Sequence, residues 1–287
     1  MSKQSKILDS LIKALPSIGS HHSPNSDLYD CLKLAARQEI ETLFSDNELG
    51  DVIFYPLGQI FFPYFKMGNI DSLNLFDIDE LIIFSYYSLN KDRYRNVLDV
   101  GANIGLHSTI LGKCGLNVRS FEPDPVHFEK LSQNILRNGV DGTVTLYNAA
   151  VSSKEGELEF VRVLGNTTGS HLAGSKSDPY GELERFQVKV VPIKEHLAWA
   201  NLVKLDAEGH EKEIIGATNP EDWEGKDAII ELSSKENAQF ILSFFKGTRT
   251  KLYSQKINWN QVKSIDDMPF THHDGSLFIS SIKTSVW

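Results

Sequence analysis

The chain is short of cysteine, of net positive charge and of long apolar runs. Only Cys31 and Cys114 occur among 287 residues, far apart and without a paired spacing. Neither a disulfide framework nor a zinc site is indicated, and a reducing compartment is expected. No stretch reaches about 18 consecutive apolar residues, so no helix is expected to span a membrane. The opening MSKQSKILDSLIKALPSIGS intersperses Lys and Asp among its apolar positions and lacks the h-region of a signal peptide. A cytoplasmic location is the expectation. Lys plus Arg number 29 against 38 Asp plus Glu, a net charge of −9. That balance argues against nucleic acid or an anionic membrane as a general partner, because neutralising phosphates takes clustered Lys and Arg. Internal repeats and low-complexity linkers are absent as well.

What is present is an ordinary globular composition, 41% hydrophobic and 23% charged. The acid is uneven: residues 206–236 hold ten Asp/Glu against three Lys. Most of that block reads as a solvated face, with Glu211 and Glu213 as acids suited to a helix N-terminus.

The first 95 residues read as a cap. Leu8, Leu11, Ile12 and Leu15 predict a short helix closed by Pro16, and a second helix spans Asp27 to Phe44 with an apolar stripe of Leu32, Leu34, Ala35, Ile40 and Leu43. Ten of the 29 aromatics fall between Val52 and Tyr87. DVIFYPLG and QIFFPYFK look like short strands around a turn, and DIDELIIFSYYSL like a helix with an acidic first turn. The aromatics are expected to pack the cap over a core, with an acceptor pocket as the other reading.

From Asn96 to the end, apolar runs alternate with helical segments: NVLDVG, VRSFEP and TVTLYNAAV, then LVKLDAEG and AIIELS, with TKLYSQ and SLFISSI closing the chain. Strand–helix alternation predicts a parallel sheet covered on both faces. Between 157 and 191, GELEFVRV and RFQVKVV alternate apolar and polar residues, predicting an antiparallel pair around a polar loop from Asn166 to His171 that could close over an acceptor.

In NVLDVGANIGLHS a strand ends at Asp99, turns through Gly101 and Gly105 and opens a helix whose free N–H groups face a ligand. Asn103 stands where a dinucleotide fingerprint has its second glycine, which disfavours a nicotinamide-dependent oxidoreductase. In VRSFEPDP, Glu122 ends the next strand, 17 residues after Gly105, where a carboxylate can accept hydrogen bonds from both ribose hydroxyls. Asp124 and Pro125 then cap and start a helix. Asn148 and Ala149, ending the third strand, are placed to border an adenine.

NVLDVGANIG, SFEPDP, LYNAAVSS, NTTGSHL and VKLDAEGHEKEIIGA together resemble the FkbM family of S-adenosylmethionine-dependent methyltransferases, from about Phe76 to Leu232. The resemblance implies a Rossmann-like class I methyltransferase fold: α/β, a seven-stranded, mostly parallel sheet whose last strand is antiparallel. It also implies O-methylation of a sugar hydroxyl or a glycosylated acceptor, as in polysaccharide biosynthesis. By this resemblance Asp99, Gly101, Asn103 and Gly105 form the cofactor loop, Glu122 holds the ribose, and Asn148 and Ala149 flank the adenine.

A sugar hydroxyl is a weak nucleophile that needs its proton taken or weakened. Asp206, Glu208 and His210 follow the fourth strand, at the sheet end where ligands of open α/β sheets bind. In an extended stretch all three point to one side, with Lys204 on the same parity to pair with one of them. They read as a base with its orienting partner, or as an oxygen-rich Mg²⁺ or Ca²⁺ site. Asp206 is the first candidate and Glu208 the second. His210 departs from the apolar or small residue expected there and is a possible base. His272, His273 and Asp274 read as a loop before the last strand. The competing classes are a methyltransferase-like binding protein without turnover and, less favoured, the oxidoreductase.

Overall fold

The structure, a computed structural model, describes residues 3–44, 51–176, 181–271 and 273–287. Seven strands carry the main sheet: β1 Asn96–Val100, β2 Asn117–Phe121, β3 Val144–Tyr147, β4 Leu202–Leu205, β5 Asp227–Ile230, β6 Lys251–Ser254 and β7 Leu277–Ser280. They lie in the order β3-β2-β1-β4-β5-β7-β6, and the short strand Asn260–Gln261 adds an eighth at the β6 edge. β1 to β5 run parallel, while β7 is antiparallel to both neighbours. This is the expected class I methyltransferase fold, widened by one edge strand.

β4, β5 and β7 are buried at every position, the signature of strands covered on both faces. Period-two alternation sorts the side chains. Val97, Leu202 and Ile229 join the core beneath the cap. Leu98, Val100, Val203, Leu205, Ala228 and Ile230 join the opposite core, packed by α6 (Ile193–Trp199), α7 (Glu211–Gly216) and α8 (Lys235–Phe244).

The cap consists of α1 (Lys6–Ala14), α2 (Asp27–Leu43), a hairpin of Asp51–Phe54 with Gly58–Phe61, and α3 (Ile78–Leu89). Eight of the twelve residues of α3 are buried, so it is sandwiched between the other cap elements and the sheet rather than laid on a surface. Phe54, Phe62, Phe76, Phe84, Tyr86 and Tyr87 are almost fully buried, which accords with the packing reading of the aromatics. In the predicted stripe of α2 only Leu34 fails, being exposed; Ile40 and Leu43 are buried with Tyr29 and Ala36, and Leu32 and Ala35 pack partly buried against the core.

TVTLYNAAV is not one strand. β3 ends at Tyr147, and Ala150–Ser152 leaves to pair in parallel with Leu183–Pro192 in a separate four-stranded sheet. The break falls where the Asn148 amide donates to the carbonyls of Glu122 and Pro123 at 2.9 and 3.2 Å, turning the chain out of the ladder. The expected antiparallel pair forms in that second sheet, Gly156–Val163 against Leu183–Pro192.

Candidate active site

The carboxyl ends of β1, β4 and β5 are level, with Val100 opposite Leu205 and Leu205 opposite Ile230. Gly101, Asp206 and Glu231, the residues that follow, therefore lie side by side. Here a cleft of about 620 Å³, counting the solvent at its mouth, opens between the sheet and the second sheet's loop. Gly101, Asn103, Glu122, Ala149, Asp206, Glu208 and His210 all line it, so seven of the ten predicted site residues come together.

The loop after β1 bends through left-handed positions at Gly101, Asn103 and Gly105, with φ of 78°, 52° and 88°. Asn tolerates that region better than other side chains, and Asn103 holds it by accepting from the Ile104 N–H at 2.8 Å. Gly101 is needed for contact: a Cβ there would lie 1.8 Å from the Asp206 carbonyl oxygen. Gly105 serves packing and does not reach the cleft. Its missing Cβ makes room for Leu131 on α5 (Pro125–Arg137), which would otherwise lie at 2.4 Å.

Asp99 is also away from the cleft. It is fully buried and accepts from the Ser108 hydroxyl at 2.5 Å, tying β1 to α4 (Leu106–Lys113). Asn148 is exposed, its amide already committed to the chain turn, and it does not line the cleft as its expected adenine contact would require.

Glu122 is the most constrained of the predicted residues. It is 5% exposed; one carboxylate oxygen accepts from the Asn103 N–H and the other from the Asp124 N–H, each at 2.8 Å. Burial, only partly offset by these bonds, pushes its carboxyl up to about 8. Asp124 caps α5 as expected, accepting from the Val126 N–H at 2.8 Å, and also receives Arg162 from the second sheet.

The stretch after β4 is not extended. Glu208 and Gly209 have φ of 51° and 102°, and the chain turns into α7, so Asp206, Glu208 and His210 diverge. Asp206 takes Lys204 at 3.1 Å, Glu208 takes Lys176, and His210 bridges Ser152 and Ser175 at 2.8 and 3.1 Å. Burial lowers the His210 pKa. Burial and then the Asp206 charge push Glu208 up to about 7. Burial works to lower the pKa of Lys204, 3% exposed, but Asp206, Glu231, Asp99 and Glu80 hold it well above the usual ammonium range.

No three His, Cys, Asp or Glu among the described residues are placed to hold a metal ion. The arrangement does not fit the Mg²⁺ or Ca²⁺ reading, because the nearest partner of Asp206 is an ammonium. Asp274 accepts from Phe270 and Thr271 in a turn, as its loop reading requires, while His272 lies outside the described residues.

Two residues were misread or missed. Glu211 does lie in the first turn of α7, as its helix N-terminal reading requires, but it is not solvated: it is 1% exposed and accepts from the N–H groups of Ala207 and Gly209 at 2.9 and 3.1 Å and from the Asn237 amide at 2.6 Å, fixing the turn. A Glu two residues past a glycine turn is the signal that was available. Lys176 lies on the strap that follows His171–Leu172, and only the fold brings it to Glu208. The predicted loop itself does border the cleft, with Thr167, Thr168 and His171 among its lining residues, and the His127 ring of α5 pairs with the Thr167 hydroxyl at 2.9 Å.

Residues 99–256 match the methyltransferase FkbM domain, more than half of the chain. The chain belongs to this family. Over 134 residues it is 32% identical to the hexuronic acid methyltransferase AglP of Haloferax volcanii, covering 42% of this chain and 49% of that protein. Over 159 residues it is 28% identical to the 31-O-demethyl-FK506 methyltransferase FkbM of Streptomyces tacrolimicus, covering 44% and 60%. The alignments thus span about half to three fifths of these relatives. A solved methyltransferase FkbM from Methylobacillus flagellatus is similar at 14% identity and a TM-score of 0.38, covering 87% of this chain and 59% of that one. The FkbM segment contains every predicted site residue, whereas the whole cap lies before it.

Proposed function

We propose that this chain is an S-adenosylmethionine-dependent O-methyltransferase acting on a hydroxyl of a sugar or glycosylated acceptor. The observation that carries the reading is Glu122, a buried carboxyl fixed by two backbone N–H groups at the edge of a cleft over the carboxyl ends of β1, β2 and β4. Such a group recognises adjacent ribose hydroxyls, which can replace the water its burial removes. The close approach of Gly101 to Asp206 leaves backbone, not side chain, at the base of the cleft, where an extended ligand can lie. Ala149 leaves room for an adenine ring.

Bound S-adenosylmethionine supplies an electrophilic methyl group, whose bonding pair stays on sulfur as the acceptor oxygen takes the carbon. Asp206 orients the acceptor hydroxyl and receives its proton, and Lys204 holds the Asp206 carboxylate in place. Glu208, clasped by Lys176, closes one wall. His210, with both ring nitrogens engaged by serines, positions the turn and is not the base. The relative named as a hexuronic acid methyltransferase supports a sugar acceptor.

Calorimetry with S-adenosylmethionine tests the cofactor assignment: wild type binds, and Glu122→Ala binds at least tenfold more weakly. Unchanged affinity in the variant removes Glu122 from the ribose. Release of S-adenosylhomocysteine on addition of a glycoside acceptor separates turnover from mere binding.

A further inference from the structure

Period-two alternation puts Asp99, Lys204, Asp206 and Glu231 on the cap face of the sheet, away from α7 and α8. Helix α3 covers this face, and its Glu80 divides the space beneath it into two clefts. The first, about 330 Å³, runs from Glu80 to Asn103, Lys204 and Asp206. The second, about 350 Å³, runs from Glu80 to Glu231, Thr271 and Ser276. Both volumes include solvent at the mouth. Gly101, Asn103 and Asp206 border the first of these and the cofactor cleft alike, so the reaction centre is reached from two sides.

We propose that this pair of cap-side clefts is the acceptor subsite, that Glu80 and Glu231 bind sugar hydroxyls neighbouring the one methylated, and that the subsite selects uncharged sugars over uronic acids. The proposal rests on the reading of the chain as a sugar O-methyltransferase. Glu80 lies against the His107 ring, whose Nε2 is 2.8 Å from its Oε2 without hydrogen-bond alignment and whose Nδ1 lies 3.1 Å from the Tyr87 hydroxyl, so the buried Oε2 has no hydrogen-bond partner. Glu231 leaves 36% of its side chain at the cleft mouth, yet its Oε1 is shut from solvent with no hydrogen-bond partner; the nearest cation, Lys204, is 3.7 Å away. A hydroxyl donor entering the cleft reaches Glu231 through the exposed part of its side chain.

The charge count gives the selectivity. Among the described residues Lys204 is the one Lys or Arg lining these clefts, and it already serves Asp206 and Glu231, while the other basic group, His107, faces Glu80. Burial and the Asp206 charge push Glu231 well above the usual carboxylate range, so the cleft resists another negative charge. The carboxylate of a uronic acid would meet the same penalty.

The test uses the full chain saturated with S-adenosylhomocysteine, with methyl β-glucopyranoside and methyl β-glucuronide as probes, compared by saturation-transfer NMR titration. The wild type is expected to bind the glucoside at least tenfold more tightly than the glucuronide. Glu80→Gln and Glu231→Gln should each weaken the glucoside at least fivefold while S-adenosylhomocysteine affinity stays within twofold. Equal or tighter binding of the glucuronide, no sugar binding to the loaded chain, or variants that bind the glucoside as wild type overturns the subsite alone. A tenfold loss of S-adenosylhomocysteine in the variants reassigns these residues to the cofactor. Failure of the wild type to bind S-adenosylhomocysteine at all overturns the functional reading, and the subsite with it.

Discussion

Gly101 and Asp206 meet backbone to backbone, so that a side chain on Gly101 would lie 1.8 Å from the Asp206 carbonyl oxygen. The loops after β1 and β4 therefore interlock through an absence. Gly101→Ala combines a left-handed φ of 78° with this clash and should cost several kcal/mol, about 1–2 of them from the conformation alone. Gly115→Ala is the control: its φ is 82° but nothing lies within 4 Å of the added carbon. Urea unfolding should show only the smaller cost at Gly115. Equal losses at both positions would mean that the contact with Asp206 is unimportant.

With Glu122 on the ribose as proposed, cofactor binding should depend on pH. Burial pushes the Glu122 carboxyl up to about 8, and ribose hydroxyls would bind the ionised form. Binding at pH 7 should release close to one proton, and affinity should rise by up to about tenfold per pH unit until it levels above pH 8. Calorimetry in two buffers of different ionisation enthalpy measures the release, and Glu122→Gln should abolish it.

The free protein should lose stability as pH rises through neutrality. Burial lifts Glu122 to about 8 and both Glu208 and Glu211 to about 7. With folded pKa values above the unfolded ones, the folded state holds more protons from about pH 4.5 upward. Their contribution is present below that pH and disappears as pH passes 7 to 8, at about 1.4 kcal/mol per pH unit for each proton. The thermal midpoint should be higher at pH 5.5 than at pH 8.5. A midpoint that climbs over this interval would contradict the burial of these carboxyls.

The mostly parallel sheet and the glycine turn after β1 were legible because they rest on local signals: apolar runs alternating with helical segments, and glycines where the chain must turn. Glu122 needed only its place in VRSFEP. The turn after Asp206 was misjudged because two positive-φ residues, Glu208 and Gly209, break the extended path that made three side chains coincide. Asn148 was misassigned because its partners, the carbonyls of Glu122 and Pro123, come from another strand. Glu80 was legible only as part of an acidic first turn and Lys176 not at all, since packing of the cap and strap alone brings them to the clefts.

Asp206→Asn should separate binding from transfer. The substitution keeps size and shape but removes the charge that faces Lys204 at 3.1 Å, leaving that ammonium to Glu231 at 3.7 Å. Because Lys204 is buried, a stability loss of about 1–3 kcal/mol is expected. S-adenosylmethionine affinity should stay within about threefold, since the proposed ribose contact is at Glu122. Transfer to a glycoside that the wild type methylates should fall about 10²–10⁴-fold, the usual contribution of a positioned proton acceptor. Calorimetry and S-adenosylhomocysteine release on the same preparation read the two quantities separately. Full transfer activity in the variant would remove Asp206 from the chemistry, whereas parallel loss of affinity and rate would make it a structural partner of Lys204.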